Sequence, residues 1–287
     1  MRLRLSCAAF FLVPVGLLAG CELLGPVPLP IDLNSPPVDL DFGAPVDAAI
    51  LGICSDPSDP SCEGVAALCA AENGGTPCDP VTLPQQFLKE VDVDGDPSTP
   101  ALSAEDALGP EVAAAAKLQI ALPVDLGSLM EEGGVGSSDQ VEDVSFDSVT
   151  LAWLANTLTF DAPVLDVYVG PAQDVDALGD VGALIASADF AKVGTISKEE
   201  AGVAVGQIAG IADEVPLNFI SGGKDAFNER LRTFSFTFVV SAPEGQALKL
   251  KELANDPTRV ARPDGVAQLS IRSKIIFTVN LGKAAGL

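Results

Sequence analysis

Two C-terminal runs alternate between apolar and polar side chains at most positions, and this alternation constrains the fold more than any other feature. Phe234, Phe236, Phe238 and Val240 share one parity, and Ser235, Thr237 and Ser241 the other. Leu269, Ile271, Ile275, Phe277, Val279 and Leu281 repeat the pattern, with Arg272, Lys274, Thr278 and Asn280 facing the other way. Successive side chains of a strand point to opposite faces, so a period of two marks a strand with one buried face. Earlier segments read alike. Leu118, Ile120, Leu122 and Val124 form one strand from Lys117. Val144 and Phe146 begin another, which Val149, Leu151 and Trp153 continue one residue out of phase, so a bulge is expected at Asp147-Ser148. Leu158 with Phe160, and then Leu165, Val167 and Val169, supply two more strands. Gly170-Pro171, Pro243-Glu244-Gly245 and Pro263-Asp264-Gly265 are turns, where Pro fixes φ and Gly accepts a positive one.

Between these strands, Gly127 to Asp139 reads as a loop, Leu184-Ile185-Ala186 as a short strand and Asp225 to Leu231 as a helix. Residues 172–215 carry little pattern, with Glu199 to Ile211 rich in Gly and Ala. Many half-buried strands without a βαβ rhythm predict a mainly β fold, an antiparallel β-sandwich spanning residues 81–287.

The other end of the chain has a different grammar. Arg2 and Arg4 precede an apolar run, Leu5 to Leu17, which is too short to span a membrane. Leu18-Ala19-Gly20-Cys21 follows, and it resembles the lipobox of bacterial lipoproteins. The resemblance covers residues 1–21. It implies a signal peptide over 1–20, a diacylglyceryl thioether on Cys21 and a membrane partner held through that anchor, since two or three acyl chains hold firmly where one does not. The address implied is the cell envelope, and Glu22 favours the outer over the inner membrane. Pro26, Pro28, Pro30, Pro36, Pro37 and Pro45 make residues 21–46 a flexible, extended tether. Val38, Leu40 and Phe42 alternate with acids and could join the domain as a short strand.

Residues 47–80 read as a small helical module. Cys7 leaves with the signal and Cys21 is lipidated, so Cys54, Cys62, Cys69 and Cys78 remain, an even four in an oxidising compartment. Ser61 through Asn73 reads as one helix stopped by Gly74-Gly75. Along such a helix Cys62 and Cys69 lie about 10 Å apart, too far for a bond. Two pairings stay open: Cys54–Cys62 with Cys69–Cys78, or Cys54–Cys69 with Cys62–Cys78. The first staples both helix ends. The spacings are unlike paired zinc knuckles.

Composition excludes several functions. The chain holds 40 acidic and 16 basic residues, a net charge of −24, which argues against a nucleic-acid partner. The acidity is concentrated: residues 21–200 carry 32 acids against 4 bases, and residues 201–287 carry 8 against 10. There is no His, which removes Ser-His-Asp and Cys-His catalysis.

Three polar patterns remain. Asp92-Val93-Asp94-Gly95-Asp96 places oxygens at alternate positions, as calcium loops need, and resembles the start of a dockerin or EF-hand loop. It departs from that loop at Pro97, where Gly belongs, and at Ser103, where a bidentate acid belongs. Asp92, Asp94 and Asp96 are therefore the candidate metal ligands, with calcium the possible cofactor. Ser221-Gly222-Gly223-Lys224 matches the S-x-x-K of penicillin-binding enzymes but lacks its companion motifs. Trp153 and Tyr168 could line a sugar or lipid site, although Trp153 reads as core.

Residues 115–283 resemble, in pattern only, the β-sandwich domains of envelope lipoproteins. The sequence thus suggests a non-enzymatic envelope lipoprotein with a structural or partner-binding role, its partner an envelope protein or a glycan. The alternatives are a calcium-dependent adhesion or carbohydrate-binding module, and an apolar-ligand carrier, for which an open cavity between sheets would be the mark.

Overall fold

A computed structural model describes residues 26–53, 60–72, 74–75, 83–92, 94–108, 119–132, 140–161, 164–174, 181–197, 214–243 and 249–279. The expected signal peptide over 1–20, Cys21, Cys54, Cys78 and the side chain of Cys62 lie outside them. In chain order come strands β1 (Val27–Asn34) and β2 (Val38–Asp41), then helices α1 (Gly43–Ile53) and α2 (Pro60–Glu72). Strands β3 (Gln86–Leu88), β4 (Glu90–Val91), β5 (Leu102–Ser103) and β6 (Gln119–Asp125) follow, then helix α3 (Leu126–Glu132) and strands β7 (Val141–Asn156) and β8 (Leu165–Pro171). Helix α4 (Val181–Ala186) leads to strands β9 (Ala191–Ile196), β10 (Glu214–Pro216) and β11 (Asn218–Phe219), and helix α5 (Gly223–Leu231) to β12 (Ser235–Ser241). Strands β13 (Glu252–Leu253), β14 (Asp256–Ala261) and β15 (Val266–Val279) complete the described chain.

The fold is mainly β, and every described strand pairing is antiparallel. One five-stranded sheet runs β1-β15-β7-β10, with β2 pairing the start of β15, and a second runs β11-β9-β8-β12-β6. Both contribute to one apolar core. Phe146 of β7 stacks on Phe219 of β11 at 4.8 Å, joining the two sheets directly. The alternation of β15 holds in place. Leu269, Ile271, Ile275 and Phe277 are buried, while Lys274 is exposed. The expected bulge is present as well: Lys274 faces Ser148 and Ile275 faces Phe146, which leaves Asp147 as the extra residue of β7. Gly265 adopts φ 112 at the turn into β15, and a Cβ there would sit 2.4 Å from the Thr157 carbonyl oxygen.

Several expectations need correction. The tether expected over 21–46 does not hold from residue 27 on, because Val27–Asn34 is an edge strand paired along β15. Pro28 and Pro30 share the exposed parity of β1. On an edge strand, alternate N–H groups point away from the partner, so prolines of one parity remove no ladder bond. They also block pairing with other chains. The stretch Leu126–Glu132 is a helix, not a loop. Ser128 donates its N–H and its hydroxyl to the Asp125 carboxylate, at 3.2 and 2.7 Å, which caps the helix. Leu126 and Met130, four residues apart, bury its inner side. Leu184-Ile185-Ala186 is likewise helical, with Val181 and Leu184 buried against Val239 of β12. That cover explains why β12 is buried on both faces. Phe234 stands outside β12 with φ 58, a left-handed residue at the helix–strand junction. Lys89 separates β3 from β4.

Helices α1 and α2, the described part of the expected module 47–80, pack into the main core rather than standing apart. Val46 and Ile50 of α1 and Val65, Leu68 and Cys69 of α2 belong to the same buried cluster as the sheets. Arg259 of β14 bonds Glu72 of α2, tying helix to sheet. Helix α2 is continuous through both Cys62 and Cys69, as the separation argument required. Cys69 is disulfide-bonded, with its partner outside the described residues.

Candidate functional site

An apolar slot of about 330 Å³ opens between β1 and β6, which are the edge strands of the two large sheets. One wall is a row that crosses three strands. Leu33 of β1 pairs Ser273 of β15, and Ser273 pairs Val149 of β7. Ile271 and Ile275 flank Ser273 on the same face. The opposite wall is two cross-strand pairs, Phe236 with Val124 and Phe238 with Leu122.

Phe227 of α5 closes the inner end. Its ring centroid lies 4.9 Å from Phe146 of the first sheet, and 5.9 and 6.1 Å from Phe236 and Phe238 of the second. One aromatic side chain thus wedges between the sheets and holds their spacing. Towards the β1 and β6 edges the facing residues are Leu and Val, which are too short to fill that spacing. Helix α5 reaches this position because it starts at Gly223, whose missing Cβ lets the chain pass the Val193 carbonyl oxygen; a Cβ there would lie 2.0 Å from it.

The mouth is polar and pinned. Ser35 donates its N–H to the Ile271 carbonyl at 2.8 Å and accepts the Ile271 N–H at 2.9 Å. Across the mouth, Asp125 is held by Ser128. Hydrogen bonds from the Ser128 hydroxyl and N–H keep the Asp125 carboxyl below the usual carboxylate range, so it is ionised at neutral pH.

A second, open groove lies on the outer face of the first sheet, lined by Asp32, Thr150, Glu214, Arg272 and Lys274. Its two cations have acidic partners. Arg272 pairs with Glu214, and Lys274 lies 3.8 Å from Asp147.

The acidic loop is turned in on itself. Asp92 accepts the Gly95 N–H at 2.7 Å, and Asp96 accepts the Ser98 N–H at 2.9 Å. Asp94 uses both oxygens, on the Asp96 N–H at 2.9 Å and on the Thr99 hydroxyl at 2.8 Å. Those two bonds, the backbone one foremost, hold its carboxyl below the ordinary range. Ser98 does the same for Asp96. Asp92, Asp94 and Asp96 share one loop, yet no group of three metal-ligating side chains converges among the described residues.

The other candidates disperse. The Lys224 ammonium lies over the Phe146 ring, 5.3 Å from its centroid, which places it against the core wall. Trp153 is buried in the first sheet. Tyr168 lies on the second, paired with Val239, its hydroxyl 3.4 Å from Asp166. The two aromatics do not meet. The sequence did carry a sign of the slot. Ser273 is the one polar residue between Leu269 and Val279 on the inward parity of β15.

No protein-family model, no curated protein and no solved structure matches this chain.

Proposed function

We propose that this protein is a non-enzymatic, lipid-anchored lipoprotein of the cell envelope, whose antiparallel β-sandwich takes an apolar chain into the slot between β1 and β6. The slot is the observation that carries this reading. It is at the small end of the range of about 300–1,000 Å³ for small-molecule sites, with apolar walls and a polar rim. The anchor supports it. Cys21 precedes Val27, the start of the slot's own edge strand, by six residues, a span of about 20 Å when extended. A lipidated Cys21 would hold the mouth within reach of a membrane surface, where aliphatic chains are the abundant ligand. The outer membrane fits Glu22 after the modified Cys.

The described contacts lie within residues 26–279, so a chain starting at Glu22 keeps them all. Titrating that chain with phenylnaphthylamine, a neutral fluorescent apolar probe, should give saturable binding. Leu122→Phe should weaken it while leaving the protein folded, because Leu122 is only half-buried and its enlarged side chain narrows the slot. No saturable binding by the parent chain, or equal binding by the variant, would refute the reading. The anchor is tested separately: Cys21→Ser should release the protein from membranes.

A further inference from the structure

Ser273 is out of character with its surroundings. It is 7% exposed and sits mid-row between Leu33 and Val149, with Ile271 and Ile275 on either side. Among the described residues its hydroxyl has no hydrogen-bond partner. Neighbouring serines are bonded: Ser270 donates to the Ser35 carbonyl at 2.9 Å, and Ser35 is bonded on both sides. A buried hydroxyl without a partner is unfavourable, and an Ala or Val would fit an apolar wall at no such cost. Ser273 alternates in step with Ile271 and Ile275 and lines the slot with them, while the same residue also borders the groove on the other face of the sheet.

We propose that Ser273 is the recognition residue of the slot, and that the ligand is a neutral aliphatic chain carrying one hydroxyl or carbonyl oxygen that bonds the Ser273 hydroxyl inside the apolar walls. This rests on the reading of the slot as a ligand site and names its chemical class. Two features select it. A serine hydroxyl donates one hydrogen bond and accepts others, so a single alcohol, ester or amide group of a ligand satisfies it. A carboxylate is disfavoured, because the slot offers it no cation and the ionised Asp125 stands at the mouth. The ligand is therefore an alcohol, an ester or an amide rather than an ionised fatty acid.

Competition against phenylnaphthylamine by octanol, octane and octanoate tests this on the chain from Glu22 and on its Ser273→Ala and Ser273→Thr variants. Ser273→Ala should weaken octanol about tenfold, the scale of one buried hydrogen bond, and leave octane unchanged or slightly tighter. Ser273→Thr keeps the hydroxyl and should retain octanol binding. Octanoate should compete more weakly than octanol at neutral pH. If Ser273→Ala shifts octanol and octane equally, Ser273 recognises nothing and the inference fails while the slot stands as a purely apolar site. If the probe does not bind the parent chain at all, the reading of the slot fails and the inference falls with it.

Discussion

Asp94 spends both carboxylate oxygens on its own loop, within five residues of itself. Ser273, buried among Leu, Val and Ile, spends its hydroxyl on nothing in the described chain. The acidic loop looks like a site in the sequence, and in the structure its aspartates accept bonds from their own loop. The slot looks like ordinary core in the sequence and has an unmet hydrogen bond. Polar residues close in sequence find each other at little entropic cost, through Asx turns and hydroxyl bonds. Residues brought together from strands over a hundred positions apart satisfy only what packing allows. In this protein, local crowding of oxygens reports a turn, and isolation of one oxygen reports a place for something else.

The largest effect should come from the slot wall. Phe236→Ala removes a side chain 1% exposed that touches Phe227 and faces the slot. Denaturant unfolding should show a loss of about 3–5 kcal/mol, the cost of truncating a buried aromatic. A loss under about 1 kcal/mol would mean the wall is loosely packed, and the contrast with the loop would collapse.

A smaller effect of opposite sign is expected at Ser273 itself. In the ligand-free protein, Ser273→Ala removes an unpartnered buried hydroxyl and should raise stability by about 1 kcal/mol. A gain in stability beside a loss in octanol binding is the pattern of a residue kept for recognition. A stability loss would show that the hydroxyl has a structural partner.

The smallest effects belong to the acids. Because Asp94 and Asp96 already accept bonds from their own loop, millimolar calcium should leave the thermal midpoint of the parent chain in place. A calcium-induced rise, abolished by Asp94→Ala and Asp96→Ala, would restore the metal reading and erase the comparison. Asp125 offers a pH test. Its folded pKa lies below the ordinary value of 3.8, so its contribution to stability is complete above that value and disappears as pH falls through the lowered one. Asp125→Asn should therefore be less stable than the parent at pH about 6, and the gap should close as the pH is taken towards about 2.

Much of the fold was legible because alternation is a local signal with a global meaning. The parity of β15, the bulge at Asp147, the turn at Gly265, the helix at Phe227 and the burial of Trp153 all follow from side-chain spacing. The misreadings have particular causes. Prolines at Pro28 and Pro30 signalled a free tether, because sequence does not reveal that both fall on the unpaired side of an edge. Seven residues after Asp125 held too few apolar positions to display a helical period, though Leu126 and Met130 carried it. Val239 broke the alternation of β12, and only α4 lying on that face explains it.

The sequence by itself determined the strongly alternating strands, the core-facing parity of β15, the acidic balance and the export-like start, since each depends on neighbours within a few residues. Only the tertiary structure decided that Leu33, Ser273 and Val149 form one row, that Phe227 wedges two sheets apart, and that the edge strands stop short of closing the gap. Those facts depend on register and sheet spacing, which long-range packing sets and no local pattern encodes.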